Sequence, residues 1–401
     1  MAILDRNDPF QSLDFERNII TPYLEEYSNT TMFDRFTGGP DSVIFAKVSK
    51  AGQGDDIVYN QRQNFDATVK IGNERLVEAE DELTYGVDRL RVGFFRFGTR
   101  ITNKQLQELQ INHRFDPDIK SQLLWQGERL NSQRIMRQFG LAFAENNRGA
   151  PNQRYSYADL IAKMIACGID GLQNGEAISR SRVIFGLDKG LNQNRVGAAL
   201  TNAVMDSAAD DTLTANHLFK LASLASKGSR TDVVNKEAPI RPYTMGKNRM
   251  GFPNKKYMLL TSDDAYYKLS QDPNWRDQQI RGTIENEEQP SILFGSNYKG
   301  TLHGVMVVTV PEFSNYIFTN GEATSYAYSA FLGSSAMGLG IGQIPSFASE
   351  SYDYGLYHGL AHIEVSDAKV LKFPSKTDLA QKGVNPLRVE NGMIHSFVRL
   401  D

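Results

Sequence analysis

With 401 residues, 40% of them hydrophobic and 23% charged, the chain can bury a sizeable core and is long enough for two or more structural units. Its 44 Lys and Arg stand against 47 Asp and Glu, a formal net charge of -3, and no cationic run is dense enough to displace phosphate counterions; autonomous condensation of nucleic acid is excluded. The single cysteine, Cys167, excludes an intramolecular disulfide framework and a cysteine-rich zinc site, and no apolar run has the length of a membrane-spanning helix.

Residues 1–50 alternate short apolar patches with turn residues such as Gly38-Gly39-Pro40 and read as an extended arm, with a helical turn or two over Pro22–Tyr27. The start, MAILDRNDPF, has neither the basic beginning nor the apolar stretch of a secretory signal, so the expectation is a protein made and assembled in a cytoplasm. From Gly54 to Arg100 the pattern is two strands joined by a long charged connection. Ile57, Tyr59 and Gln61 share one face of the outgoing strand, and Val58, Asn60 and Arg62 share the other. The return run Val87–Phe97 is rich in β-branched and aromatic residues with charges interleaved. Lys70-Ile71-Gly72-Asn73-Glu74 supplies turn chemistry, and Glu78, Glu80, Asp81 and Glu82 form an acidic patch. A two-stranded hairpin is marginal alone in water, so this one needs a surface to lie on. That surface is either its own domain or a neighbouring subunit.

A short helix is expected over Asn103–Asn112 and a long one over Asp116–Asn147, where Asp116 can cap, Pro117 suits the first position and Asp118 complements the dipole. Ile119, Leu123, Leu130 and Leu141 fall in one sector, and Leu124, Ile135, Phe139 and Phe143 fall roughly opposite. Two stripes imply contacts on two faces, and at 1.5 Å rise about 30 residues span roughly 45 Å, a spine between layers or subunits. Further helices are expected over Ala158–Cys167 and Ala215–Ala225, and from Asp263 or Asp264 as a cap through Tyr267. Asp272-Pro273-Asn274-Trp275 turns into another. Strands are expected over Tyr257–Thr261, Ser291–Phe294, Gly304–Val310, Tyr357–Val365 and Val389–Leu400. Cys167 reads as a small buried hydrophobe within an apolar helix.

The residues assemble no active site. His358 and His362 are close enough for a metal on a helix, but Gly359 follows His358, so the metalloprotease pattern is missing; on a strand they simply share a face. Gly338-Leu339-Gly340-Ile341-Gly342 looks like part of a phosphate loop, yet its glycines miss the dinucleotide spacing and Gln343-Ile344-Pro345 does not open a helix; packing against a sheet is the reading preferred. The acidic patch misses the calcium-loop spacing. No catalytic residue, cofactor site or metal site is therefore expected.

The order of several blocks carries a resemblance. These are Gly54–Tyr59, Asn73-Glu74 and Val87–Arg100; then Ser181–Gly186, Tyr257–Leu260, Asp272–Trp275, Ser291–Gly295 and Asn297–Gly300; then His303–Val308, Tyr328–Gly340 and Tyr352–Gly355. Together the chain resembles the major capsid proteins of tailed double-stranded DNA bacteriophages, with the Hong Kong 97-type fold, most of all the family typified by the N-four podophage capsid protein. The likeness covers about Lys50 to Val370; the arm before it and the tail after it match nothing in that pattern.

The resemblance implies an α+β chain in four parts: an N-terminal arm (1–50), an extended β-hairpin loop (51–101), a peripheral domain with the long spine helix (102–150 and 350–401), and an axial domain (151–349). It implies a non-enzymatic major capsid protein that self-assembles into hexamers and pentamers of an icosahedral shell around phage DNA. Its place would be the virion, after assembly in the host cytoplasm. Scaffolding, portal and decoration proteins are candidate partners, with no membrane and no sequence-specific DNA contact. Lys70, Glu74, Glu78, Glu80, Asp81 and Glu82 of the loop, with Arg89 and Arg91 on its return strand, are the candidate inter-subunit contacts. Some relatives of this fold form a Lys–Asn cross-link, for which Lys70 is the loop's only lysine and no acceptor can be placed. Two other readings stay open: an encapsulin-like cellular nanocompartment shell, and a soluble nucleotide-binding enzyme using the glycine run.

Overall fold

The computed structural model describes residues 33, 36–49, 52, 54–62, 85–102, 122, 125–127, 135, 155–156, 183–185, 212–227, 239–247, 253–285, 297–310, 313, 317–319, 325–352, 357–374, 388–389 and 392–400. The N-terminal part gives β1 (Thr37–Gly38), β2 (Ile44–Val48), β3 (Asp56–Arg62), β4 (Tyr85–Arg91) and β5 (Gly93–Thr102). The middle gives β6 (Tyr155–Ser156), β7 (Val183–Phe185), α1 (Ala215–Lys227), β8 (Tyr243–Lys247), β9 (Pro253–Thr261), α2 (Asp263–Gln271) and α3 (Pro273–Glu285). Then come β10 (Tyr298–Leu302), β11 (Val305–Thr309), β12 (Ile317–Thr319), β13 (Ser325–Leu332), β14 (Met337–Tyr352) and β15 (Tyr357–Val370). The chain closes with β16 (Phe373–Pro374), β17 (Arg388–Val389) and β18 (Met393–Arg399).

Among the described residues, a nine-stranded sheet is built around β11, β9 and β13, with β18 paired to β13. Alternation along these strands sends side chains to two different cores. Met258, Leu260, Met306, Val308, Tyr328, Ala330, Met393 and Phe397 line one core; Leu259, Val305, Val307, Ala327, Phe331, Ile394 and Val398 line the other. All five residues of β11 are buried, as a central strand covered on both faces requires. The second core is closed by the helices, through Leu218 and Leu221 of α1, Ala265 and Leu269 of α2 and Trp275 of α3. The first core faces a smaller sheet ordered β1-β2-β14-β15-β5, through Ile44, Met337, Ala368 and Val370.

Local chemistry explains the helix starts. Ser262, not Asp263 or Asp264, caps α2: it is extended, and its side chain accepts from the Ala265 amide at 3.2 Å. The two aspartates occupy the first turn instead, where their charge meets the positive end of the dipole. Pro273 opens α3, and Asp272 before it accepts from Asn274 N at 2.9 Å and from Ala215 N of α1 at 2.7 Å, so one carboxylate caps two helices.

A polar row crosses the helix side of the large sheet. Thr261 and Ser329 hydroxyls lie 2.8 Å apart, and Ser396, opposite Ser329, lies 2.8 Å from His217 Nε2 of α1. All four residues are buried, and among the described residues the other ring nitrogen of His217 has no hydrogen-bond partner. Burial, with Lys220 adding to it, lowers the His217 pKa from 6.5 to about 4. Between those two values the unfolded chain takes up a proton that the folded chain refuses, so stability falls as pH drops through the window and levels off below it. The loss amounts to about 3 kcal/mol. The drop in melting temperature between pH 7 and pH 4.5 is therefore expected to be smaller in His217→Gln than in the wild type; equal drops would exclude this histidine as the source.

Of the expected spine helix, residues 122, 125–127 and 135 are described, and all are helical. Trp125 is 63% exposed while Ile135 is buried in the core between the sheets. The rest of that helix, the helices expected over 103–112 and 158–167 and the strand expected over 291–294 lie outside the described residues. The return run of the hairpin is not one strand. It divides at Val92: β4 pairs with β3, whereas β5 joins the five-stranded sheet beside β15. The change of partner is fixed by Val92 itself, which donates to Asp55 O at 3.0 Å and accepts from Gly54 N at 2.9 Å. The strand β14 runs through residue 349, and β18, from the stretch 350–401, belongs to the nine-stranded sheet.

Candidate functional site

The root of the hairpin is the most heavily built feature outside the two main cores. In β3 and β4 the register pairs Asp56 with Arg91, Ile57 with Leu90, Val58 with Arg89 and Tyr59 with Asp88. The alternation read from the sequence holds: Ile57 and Tyr59 are buried, and Val58 and Asn60 are exposed. Ile57, Tyr59, Leu90 and Val92 pack with Val365, Leu371 and Phe373 in a cluster of their own, on the face of the smaller sheet turned away from the central core. Of the two surfaces open to this hairpin, its root has taken its own domain.

Glycines make that seat. A Cβ on Gly340 of β14 would stand 2.7 Å from Leu90 Cδ2 and 3.0 Å from Ile57 Cδ1; one on Gly338 would stand 2.8 Å from Leu371 Cδ2 and 3.1 Å from the Tyr59 ring. The Gly338–Gly342 run lies within β14, not on a loop before a helix, which removes the phosphate-loop reading of these glycines.

Polar contacts lock the root laterally. Asp88, fully buried, accepts from Lys369 Nζ at 3.1 Å, from Lys372 N at 2.8 Å and from Arg89 N at 2.8 Å. Lys369 also donates to Arg89 O at 3.3 Å, and Lys47 of β2 donates to Val58 O at 2.8 Å. Val58 and Arg89 are register partners, so one lysine from the body holds each edge of the same rung. Tyr59 OH is buried without a partner among the described residues, and burial raises its pKa.

Of the sequence candidates, Arg89 and Arg91 are exposed on the outer face of β4. Arg91 pairs with Asp56 across the hairpin at 3.3 Å, a surface pair of small worth. Lys70, Glu74, Glu78, Glu80, Asp81 and Glu82 lie outside the described residues. Asp88, Lys47, Lys369 and the two glycines were not singled out from sequence. Asp88 left one trace: it is a charge at an inward position between Gly86 and Leu90.

The histidine pair falls on a strand. His362, in β15, stacks on Phe97 at 4.6 Å and lies 3.4 Å from Glu364, whose other oxygen accepts from Ser366 at 2.6 Å. The serine bonds the glutamate rather than the histidine and all three are buried, so this is not a nucleophilic triad. Among the described residues no His, Cys, Asp and Glu group has metal-binding geometry.

No protein-family model matches the chain, and no curated protein matches it in sequence. Solved structures do. The capsid of Ralstonia phage GP4 has a TM-score of 0.61 at 14% identity, over 91% of this chain and 90% of that one. The capsid of cyanophage Pam1 gives 0.60 at 15% identity, over 93% of each chain. The head of Helicobacter pylori bacteriophage KHP40 gives 0.56 at 13%, over 93% of this chain and 91% of that one. The fold is the α+β Hong Kong 97-type capsid fold.

Proposed function

We propose that the chain is the major capsid protein of a tailed double-stranded DNA bacteriophage, a subunit that assembles into hexamers and pentamers of an icosahedral head. The observation that carries this is the extent of the likeness: more than nine-tenths of the chain superposes on capsid subunits, with no large part left over for another task. Rings of identical chains close through heterologous contacts, and many modest contacts per subunit add up by multivalency. No catalytic step belongs to this reading. DNA is enclosed rather than gripped, in keeping with the net charge of -3.

The four-part division into arm, loop, peripheral and axial domains belongs to the same proposal, as do the virion location, assembly in the host cytoplasm and scaffolding, portal and decoration partners. So does the contact set Lys70, Glu74, Glu78, Glu80, Asp81, Glu82, Arg89 and Arg91. A clamped root supports it, because a loop projecting from a fixed base reaches a neighbour at low entropic cost. Reversing Glu78 and Glu80 to lysine is expected to lower particle yield at least tenfold in sedimentation, with an unchanged melting temperature. Normal particles from that variant would remove the acidic patch from the contact set.

A further inference from the structure

The polar row on the helix side of the nine-stranded sheet is longer than its hydrogen bonds alone suggest. Thr309 of β11 is the register partner of Thr261 of β9; Ser329 of β13 and Ser396 of β18 continue the row, which ends on His217 of α1. All five side chains are buried. His217 is the third residue of α1, in the first turn, where the helix dipole opposes a positive charge. Its Nε2 is engaged by Ser396, and its Nδ1 is buried with no hydrogen-bond partner among the described residues.

The charges around the ring oppose a proton as well. Lys220, three residues on along the same helix, repels it. From β18 comes Arg399, three residues past Ser396 and bridged to Thr212 just before α1. His395, next to Ser396 in the chain, is on the opposite face of the strand, 2.8 Å from Tyr328 OH. From β10, His303 meets Phe219 of α1 at 5.1 Å between ring centroids, and Lys299 lies over the Tyr266 ring of α2. On α2, Asp263 and Asp264 are exposed and Lys268 is half-buried, while Ala265 and Leu269 face the core. The carboxylate of Asp272 reaches α1, but at the Ala215 amide, 2.7 Å away. The helix is also a separable layer. It packs through Leu218, Leu221 and Ala225, with Phe219 57% exposed on its other side, and it can leave without breaking a strand pair.

We infer that His217 and Ser396 form an acid-sensitive latch, which holds α1 on the sheet while the imidazole is neutral and releases it when the ring takes a proton. A protonated ring donates from both nitrogens; Ser396 can accept one of these bonds, and among the described residues the other has no acceptor. Release puts the ring in water and uncovers Leu218 and Leu221. The latch stands apart from the shell reading. It also goes beyond a general loss of stability in acid, because it assigns the first opening to one helix.

Hydrogen exchange of the full-length chain at pH 7.5 and pH 4.5, corrected for the intrinsic rate at each pH, reads this opening. An imidazole with a pKa of about 4 in place and 6.5 once freed makes opening about 70-fold more favourable at the lower pH. Amides of α1 are expected to lose protection by that factor while those of β9, β11 and β13 keep theirs. In His217→Gln, which carries no charge at either pH, the change in α1 is expected to stay below about threefold. Lys220→Met, at a half-buried position, gives a second reading should the glutamine variant not fold: with the repelling cation gone, the acid response of α1 is expected to be smaller than in the wild type. Equal protection of α1 at both pH values would overturn the latch. So would α1 and the strands losing protection together, or a wild-type acid response in either folded variant.

Discussion

Replacing Gly340 by leucine is expected to lift the hairpin root off its sheet while the nine-stranded sheet stays folded. Even one added carbon would meet Leu90 at 2.7 Å, Ile57 at 3.0 Å and Val92 at 3.3 Å. Those atoms are side-chain ends, so alanine can be absorbed by small rotations at a cost of about 1 kcal/mol. Leucine cannot, because three further carbons would need volume already filled by the cluster. Unseating the root exposes Ile57, Leu90 and Val92, each worth about 1.5–3 kcal/mol when buried. Hydrogen exchange should report it: amides of β3 and β4 are expected to exchange at least tenfold faster in Gly340→Leu, with β9, β11 and β13 unchanged. Particle yield should fall with them. Uniform protection in the variant would show that the glycine seat does not hold the hairpin.

Asp88→Ala is expected to be the most damaging change of a polar residue in this region. It leaves the Lys372 amide without its acceptor and Lys369 without its carboxylate, and it frees the root from the segment after β15. Breaking a buried pair from one side costs about 3–5 kcal/mol. Lys369 is 27% exposed and its charge can turn to water, which places the expected loss at about 2–4 kcal/mol. Asp88→Asn keeps one acceptor oxygen and should recover about half of it. The measurement is the denaturant midpoint of the three proteins, with Lys369→Met as a fourth. If Asp88→Ala and Lys369→Met lower the midpoint independently, without coupling in a double-mutant cycle, the pair is not what ties the root down.

Where a segment's structure follows from its own pattern, it was legible in the sequence. The Ala215–Ala225 helix, the buried strand around Tyr257–Thr261, the dense strand after Gly304 and the inward row Ile57 and Tyr59 all stand where periodicity puts them. The order of short blocks in the sequence points to the capsid fold, and the structural matches agree. The narrower likeness to the N-four podophage group rests on those blocks alone. What was hidden depends on residues far apart in the chain. The glycine run gave no sign that Leu90 and Ile57 would lie on it. Asp88 found its partners about 280 residues away. The division of the return run at Val92 was hidden for the same reason: both halves have strand composition, and only their different partners separate them. The Ser262 cap was a local miss, because two neighbouring aspartates have equal capping propensity and only the backbone of Ser262 decides among them.

Assembly into closed shells is the role proposed for this subunit. Electron microscopy of the full chain produced in bacteria, alone and together with the genes encoded beside it, tests that most directly. Closed particles or rings of six, with the hairpin of one copy lying on its neighbour, are the predicted result. A monodisperse monomer under both conditions would contradict it.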